Sequence, residues 1–99
     1  MEKEVLLCIL FDYYGNLLTE KEKIYFQDYY FSNLSLFEIS ENYHISRNAI
    51  FKVIKNACEK LNFYEEKLNL YERDKKLSFL VDKIKDEKLK DQIIKLLEK

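Results

Sequence analysis

An all-α fold is predicted by three observations. The chain holds one Gly, no Pro and two Ala, too little turn chemistry for a many-stranded sheet. Leu, Lys, Glu and Ile fill much of the remainder, and apolar residues recur at spacings of three and four along successive segments. With 47% hydrophobic and 35% charged residues, the 99-residue chain carries enough core material to exclude a disordered tail.

Residues 2–14 read as a first helix, with Val5, Leu6, Ile9, Leu10, Tyr13 and Tyr14 at helical spacing and Leu7 and Phe11 on the other side. A helix apolar on most faces is buried or pairs with another chain. Gly15-Asn16 ends it, Gly accepting the left-handed conformation at least cost. Thr19-Glu20-Lys21-Glu22 has capping-box spacing and starts a second helix that runs to about Phe31. Ser35-Leu36-Phe37-Glu38 repeats that signature and opens a third helix of about two turns, interrupted by Asn42-Tyr43-His44-Ile45. Ser46 caps a fourth helix in which Ile50, Val53, Ile54, Ala57, Leu61, Tyr64, Leu68 and Tyr71 keep the spacing, so that it runs past residue 70. Beyond it, Leu77, Leu80, Val81 and Ile84 form one stripe and Leu89, Ile93, Leu96 and Leu97 another. The two stripes face different directions, so Asp86 is read as the N-cap of a separate last helix.

Charge is informative by position. The total is −1, but residues 1–46 carry 3 basic and 8 acidic groups, residues 47–71 carry 5 and 3, and residues 72–99 carry 9 and 7. No global basic field draws the chain to nucleic acid or anionic lipid. Any anion-binding surface is local and starts near Arg47.

That position coincides with the most informative unit, from Leu36 to about Lys55: a short helix, a three- to four-residue turn and a second, Ser-capped helix. A helix-turn-helix needs apolar residues converging on its elbow, and Ile39, Tyr43, Ile45, Ile50 and Val53 occupy those places. Ser40 is small where the helices approach. The turn often uses Gly for its positive φ; here His44 takes that place at modest strain. The groove-facing edge then consists of Ser46, Arg47, Asn48, Phe51, Lys52, Lys55 and Asn56. Arg suits guanine O6 and N7, Asn suits adenine N6 and N7, an aromatic ring suits the thymine methyl, and Lys suits phosphate. The Ser46 hydroxyl and the first helical amides suit a phosphate as well. Four phosphate contacts give a salt slope of roughly −3.6 on B-DNA, which is weak for a monomer. Tight recognition calls for a dimer.

Leu17-Leu18-Thr19, Tyr29-Tyr30-Phe31, the run from Ser35 to Glu41, the run from Ile45 to Phe51 and the run from Leu61 to Leu68 together resemble the YlxM family of small bacterial proteins. The resemblance spans about Leu10 to Tyr71, and the segment beyond Arg73 lies outside it. It implies a small all-α domain with a helix-turn-helix like that of sigma factor region 4, here assigned to residues 1–72; the apolar stripes beyond it make residues 73–99 a helical C-terminal extension that packs on that domain or on a partner. It also implies a DNA-binding regulator linked to the signal recognition particle, because genes for that particle's GTPase and receptor neighbour the family. Ser46, Arg47, Asn48 and Phe51 fall on the motif, whereas Lys52 replaces an acidic residue often found there and makes this copy more basic.

Catalysis finds no support in the sequence. The sole histidine, His44, lies in the turn; Cys8 and Cys58 are far apart, and no Ser-His-acid set, phosphate-cradling Gly loop or metal-ligand cluster can be assembled. No enzyme activity, cofactor or metal is expected. The longest apolar run, Val5 to Phe11, has seven residues, against roughly 18–20 for a membrane span, and it is preceded by Glu2, Lys3 and Glu4 rather than a basic leader. A cytoplasmic protein without a membrane partner is expected. Two readings follow: a homodimeric regulator that binds nucleic acid, DNA or RNA, and an adaptor that binds the signal recognition particle's protein or RNA, with the helix-turn-helix as scaffold. The N-terminal helix and the stripe from Leu77 to Ile84 offer more apolar surface than so small a core needs, which favours a homodimer in either case.

Overall fold

A computed structural model describes residues 1–98. Six α-helices account for most of them: α1 (Lys3–Tyr14), α2 (Glu20–Phe26), α3 (Leu36–Tyr43), α4 (Arg47–Leu68), α5 (Leu70–Val81) and α6 (Glu87–Leu97). No strand occurs among the described residues. The chain divides into two compact units, Met1–Leu68 and the part from Asn69 onward. The boundary expected between residues 72 and 73 therefore falls inside α5.

In the first unit α4 packs against α1, α2 and α3. Its inward positions Ile50, Ile54, Ala57 and Leu61 are all buried, and so are Leu7, Leu10 and Tyr14 of α1. The core-facing stripe of α1 is thus Leu7-Leu10-Tyr14, and Val5, expected on that face, is 49% exposed. Apolar residues surround most of this helix, so its sequence alone marks no preferred face. The partner chemistry on α4 selects one, and the Tyr14 hydroxyl donates to Glu65 Oε1 at 2.6 Å to hold the two helices together.

Gly15 ends α1 for a different reason from the one anticipated. Its φ is −55°, not left-handed, and the chain continues into one 3-10 turn over Gly15–Leu17. A Cβ here would come within 3.1–3.2 Å of the Phe11 ring. That ring cannot easily yield, because it stacks on Phe26 with centroids 4.8 Å apart. Gly15 supplies room rather than backbone freedom.

The second helix ends near Phe31 as expected, but its last turn, Gln27–Phe31, is a π-helix, with the Ser32 amide donating to the Gln27 carbonyl at 2.9 Å. The wider turn brings residues five apart nearer to one face. Phe26 and Phe31 thereby both reach Phe11, and Tyr30 lies 4.6 Å from the Phe26 ring. Aromatic contact at this corner competes with regular α-geometry and prevails. Asn33, at φ 56°, then reverses the chain, and the Leu34 amide returns to the Asp28 carbonyl at 3.0 Å.

The fourth helix stops at Leu68 instead of passing residue 70. Asn69 adopts φ 54° and ψ 31°, and Asn accepts the left-handed region better than most residues. In the second unit α5 ends at Val81, so Ile84 lies beyond the helix on which it was placed. Asp86 does cap α6, its carboxylate accepting from the Lys88 and Leu89 amides at 3.0 and 3.2 Å. Val81 is buried, while Leu80 and Leu96 stay 57% and 84% exposed. Among the described residues no helix is long and apolar enough to cross a membrane.

Candidate nucleic-acid interface

The helix-turn-helix is assembled from three local devices. At the start of α3, the Ser35 hydroxyl accepts from the Glu38 amide and the Glu38 carboxylate accepts from the Ser35 amide, both at 3.1 Å. At its end His44 takes the left-handed conformation, φ 57° and ψ 41°. The Ile45 amide then reaches back to the Ser40 carbonyl at 3.2 Å. A six-residue wrap of this kind satisfies carbonyls that the helix end leaves open. At the start of α4 the Ser46 hydroxyl accepts from the Ala49 amide at 3.1 Å.

What fixes the angle between the two helices is the elbow core. Tyr25, Ile39, Ile50 and Ile54 are buried there, with Ile45, Val53, Leu34 and Leu36 packed around them. Ile39 and Ile50 are fully enclosed, and each such side chain contributes about 1.5–3 kcal/mol of transfer free energy. Tyr43 departs from its expected place, being 39% exposed. Its ring lies 5.1 Å from Tyr25 and its hydroxyl donates to Asp28 Oδ2 at 3.0 Å, so it clamps α3 to the π-turn from outside. That bond, ahead of burial, raises the Tyr43 hydroxyl above the usual tyrosine value.

With one face of α4 committed to the core, the opposite face is free. At about 100° per residue, Arg47, Phe51, Lys55, Asn48, Lys52 and Asn56 sweep an arc of about half the helix, which starts beside Ile54 and turns away from Ile50 and Ala57. Each of these six and Ser46 is exposed. Arg47, Lys52 and Lys55 enter no ion pair among the described residues. Glu59 lies one turn further along the same arc and ends its cationic part. The Ser46 oxygen is engaged as an acceptor in the cap, which leaves its O–H as a donor.

One residue on this surface escaped sequence reading. Phe37, in the first turn of α3, is 53% exposed, and the Arg47 guanidinium carbon stands 5.6 Å from its ring centroid. A cation over an aromatic face is held in place without losing its charge. An aromatic residue that the elbow does not use, one turn from a cap, was the available signal.

A short capped helix, a left-handed residue at the bend and a second helix with its polar face in solvent make this a helix-turn-helix protein. Its sequence agrees. Over residues 1–99 the chain matches the UPF0122 family, described as "Putative helix-turn-helix protein, YlxM / p13 like", and it belongs to that family. The match includes the segment beyond Arg73 that the resemblance left out. A UPF0122 protein of Caldanaerobacter subterraneus subsp. tengcongensis is 41% identical over 87 residues, covering 87% of this chain and 74% of the relative. Similar relatives occur in Bacillus licheniformis (45% over 73 residues, 74% and 68% covered) and Malacoplasma penetrans (41% over 88 residues, 89% and 82% covered).

Proposed function

We propose that the chain is a non-enzymatic, cytoplasmic regulator that places the first turns of α4 in the major groove of DNA. The observation that carries this reading is the exposed arc from Arg47 to Asn56, whose three cations pair with no carboxylate among the described residues. In it, Arg47 and Asn48 read base edges, Phe51 meets a thymine methyl, and Lys52, Lys55 and the Ser46 hydroxyl hold phosphates. Asn56 reaches the flank of the site. So few cations bind weakly alone, so the working form is a homodimer presenting two such helices to successive grooves. The link to the signal recognition particle rests on the family resemblance.

Binding of random duplex DNA across 50–200 mM salt, followed by fluorescence anisotropy, tests the proposal. The two phosphate-neutralising lysines of each protomer give a log–log slope of roughly −1.8 per protomer, and the Arg47→Ala/Lys52→Ala/Lys55→Ala variant loses most of both affinity and slope. Wild type without salt-dependent binding, or a variant that binds equally well, rejects it. A second reading, an adaptor for the particle's protein or RNA, is favoured by the exposed Phe79, Leu80 and Leu96 of the second unit. Binding of the particle's RNA but not of duplex DNA supports that alternative.

A further inference from the structure

A cleft of about 320 Å³ opens beside α4, lined from α1, the π-turn and α3 as well. This is at the small end of the range that small-molecule sites occupy. Its interior is apolar, with Leu7 and Ile54 only 2% and 5% exposed and Phe51 also lining it. Two polar groups face each other there: the Cys58 thiol donates to the Tyr30 hydroxyl oxygen at 3.7 Å. The Tyr30 hydroxyl proton is left for an incoming acceptor. Burial is the main cause that raises both the Cys58 thiol and the Tyr30 hydroxyl above their usual values, so both stay protonated and neutral near pH 7.

The charged side chains that line this cleft are both basic, although the Glu4 carboxylate is near enough to act on the Tyr30 hydroxyl. Lys3 of α1 and Lys55 of α4 line it, and no carboxylate does. Glu4 and Glu38 belong to a separate cleft that shares Tyr29 and Tyr30. An apolar, partly aromatic interior with two ammonium groups and one spare hydroxyl proton is complementary to a compact aromatic anion.

We propose that this cleft is a binding site for a small aromatic monocarboxylate, its ring against Leu7, Ile54 and Phe51 and its carboxylate held by Lys3, Lys55 and the Tyr30 hydroxyl. Phe51 and Lys55 also belong to the arc on α4. An occupant therefore withdraws two side chains from a groove, a coupling that rests on the nucleic-acid reading, as the site itself does not.

Titration of the full chain with 2-naphthoate and with its neutral isostere 2-naphthamide, followed by amide NMR without DNA, tests the site. Saturable naphthoate binding with shifts centred on Leu7, Tyr30, Ile54 and Cys58 is expected, with naphthamide about tenfold weaker. The exposed double substitution Lys3→Gln/Lys55→Gln weakens naphthoate about tenfold and leaves naphthamide unchanged. No saturation up to roughly 10 mM, equal affinity for the two probes, or shifts confined elsewhere overturns the site. With duplex DNA added, saturating naphthoate weakens duplex binding about fivefold; unchanged duplex affinity overturns the coupling. A chain that binds naphthoate but never duplex keeps the site and refutes the nucleic-acid reading. The converse result refutes the site alone.

Discussion

Thr19-Glu20-Lys21-Glu22 and Ser35-Leu36-Phe37-Glu38 spell the same capping device twice, sixteen residues apart, and the fold puts the copies in opposite settings. Both boxes close, but Glu38 closes its box in solvent. Glu22 closes its box while buried to 6% exposure. One of its oxygens accepts from the Thr19 amide at 2.8 Å and from Lys60 Nζ of α4 at 3.0 Å. The second box thus starts a helix, whereas the first also ties α2 to the central helix. A local motif decides where a helix begins; only its tertiary partner decides how much the motif stabilises.

The largest expected effect breaks this pair. Glu22→Ala removes the cap return and leaves the Thr19 amide unmet in a half-enclosed place, and it strips Lys60 of its partner. It should lower the unfolding free energy by about 2–3 kcal/mol. Glu38→Ala removes an equivalent bond that water replaces, and should cost about 0.5–1 kcal/mol. Urea denaturation of the two variants checks the difference, and equal losses would show that burial does not distinguish the boxes.

A smaller effect sharpens the comparison through pH. Burial pushes the Glu22 carboxyl up, but the Thr19 amide, the Lys60 ammonium and the Thr19 hydroxyl outweigh it and hold the carboxyl below its usual value. A folded value below the unfolded one means that this contribution is complete above the unfolded carboxylate value of about 4.3 and fades as pH falls through the folded value. Wild-type stability should therefore decline more steeply than that of Glu22→Gln on acidification below about pH 5. Parallel pH–stability curves for the two proteins would remove Lys60 and the cap as the cause.

How much of this was legible follows from which signals are local. Thr19, Ser35, Ser46 and Asp86 are read correctly as helix starts because a cap needs only its own next three residues. His44 is legible as a left-handed residue for the same reason: the turn length demands one. Asn69 carried a similar signal, but the apolar spacing running through Leu68 and Tyr71 masked it. The π-turn was not legible, since it depends on Phe11 lying across Phe26 and Phe31. Gly15 was placed at the right boundary for the wrong cause, because its neighbour Phe11 is pinned by a residue from another helix. On the candidate interface, the exposure of Ser46, Arg47, Asn48, Phe51, Lys52, Lys55 and Asn56 follows from α4's own spacing. The stacking of Arg47 on Phe37 does not, since it requires the angle at which α3 meets α4.

The smallest expected effect concerns how the two box-started segments end, for both finish in a left-handed residue, Asn33 at φ 56° and His44 at φ 57°. Asn tolerates that region through local hydrogen bonding, whereas His pays most of the penalty for its Cβ, about 1–2 kcal/mol. Gly removes the penalty but adds about 0.4–1 kcal/mol of unfolded-state entropy. His44→Gly should therefore stabilise the chain by about 0.5 kcal/mol, and Asn33→Gly should be neutral or slightly destabilising. Thermal melts of the two variants beside wild type decide it. A His44→Gly protein that melts lower would mean that the imidazole makes a contribution at the bend larger than the strain it bears, and the elbow would then be held by its turn as well as by Ile39 and Ile50.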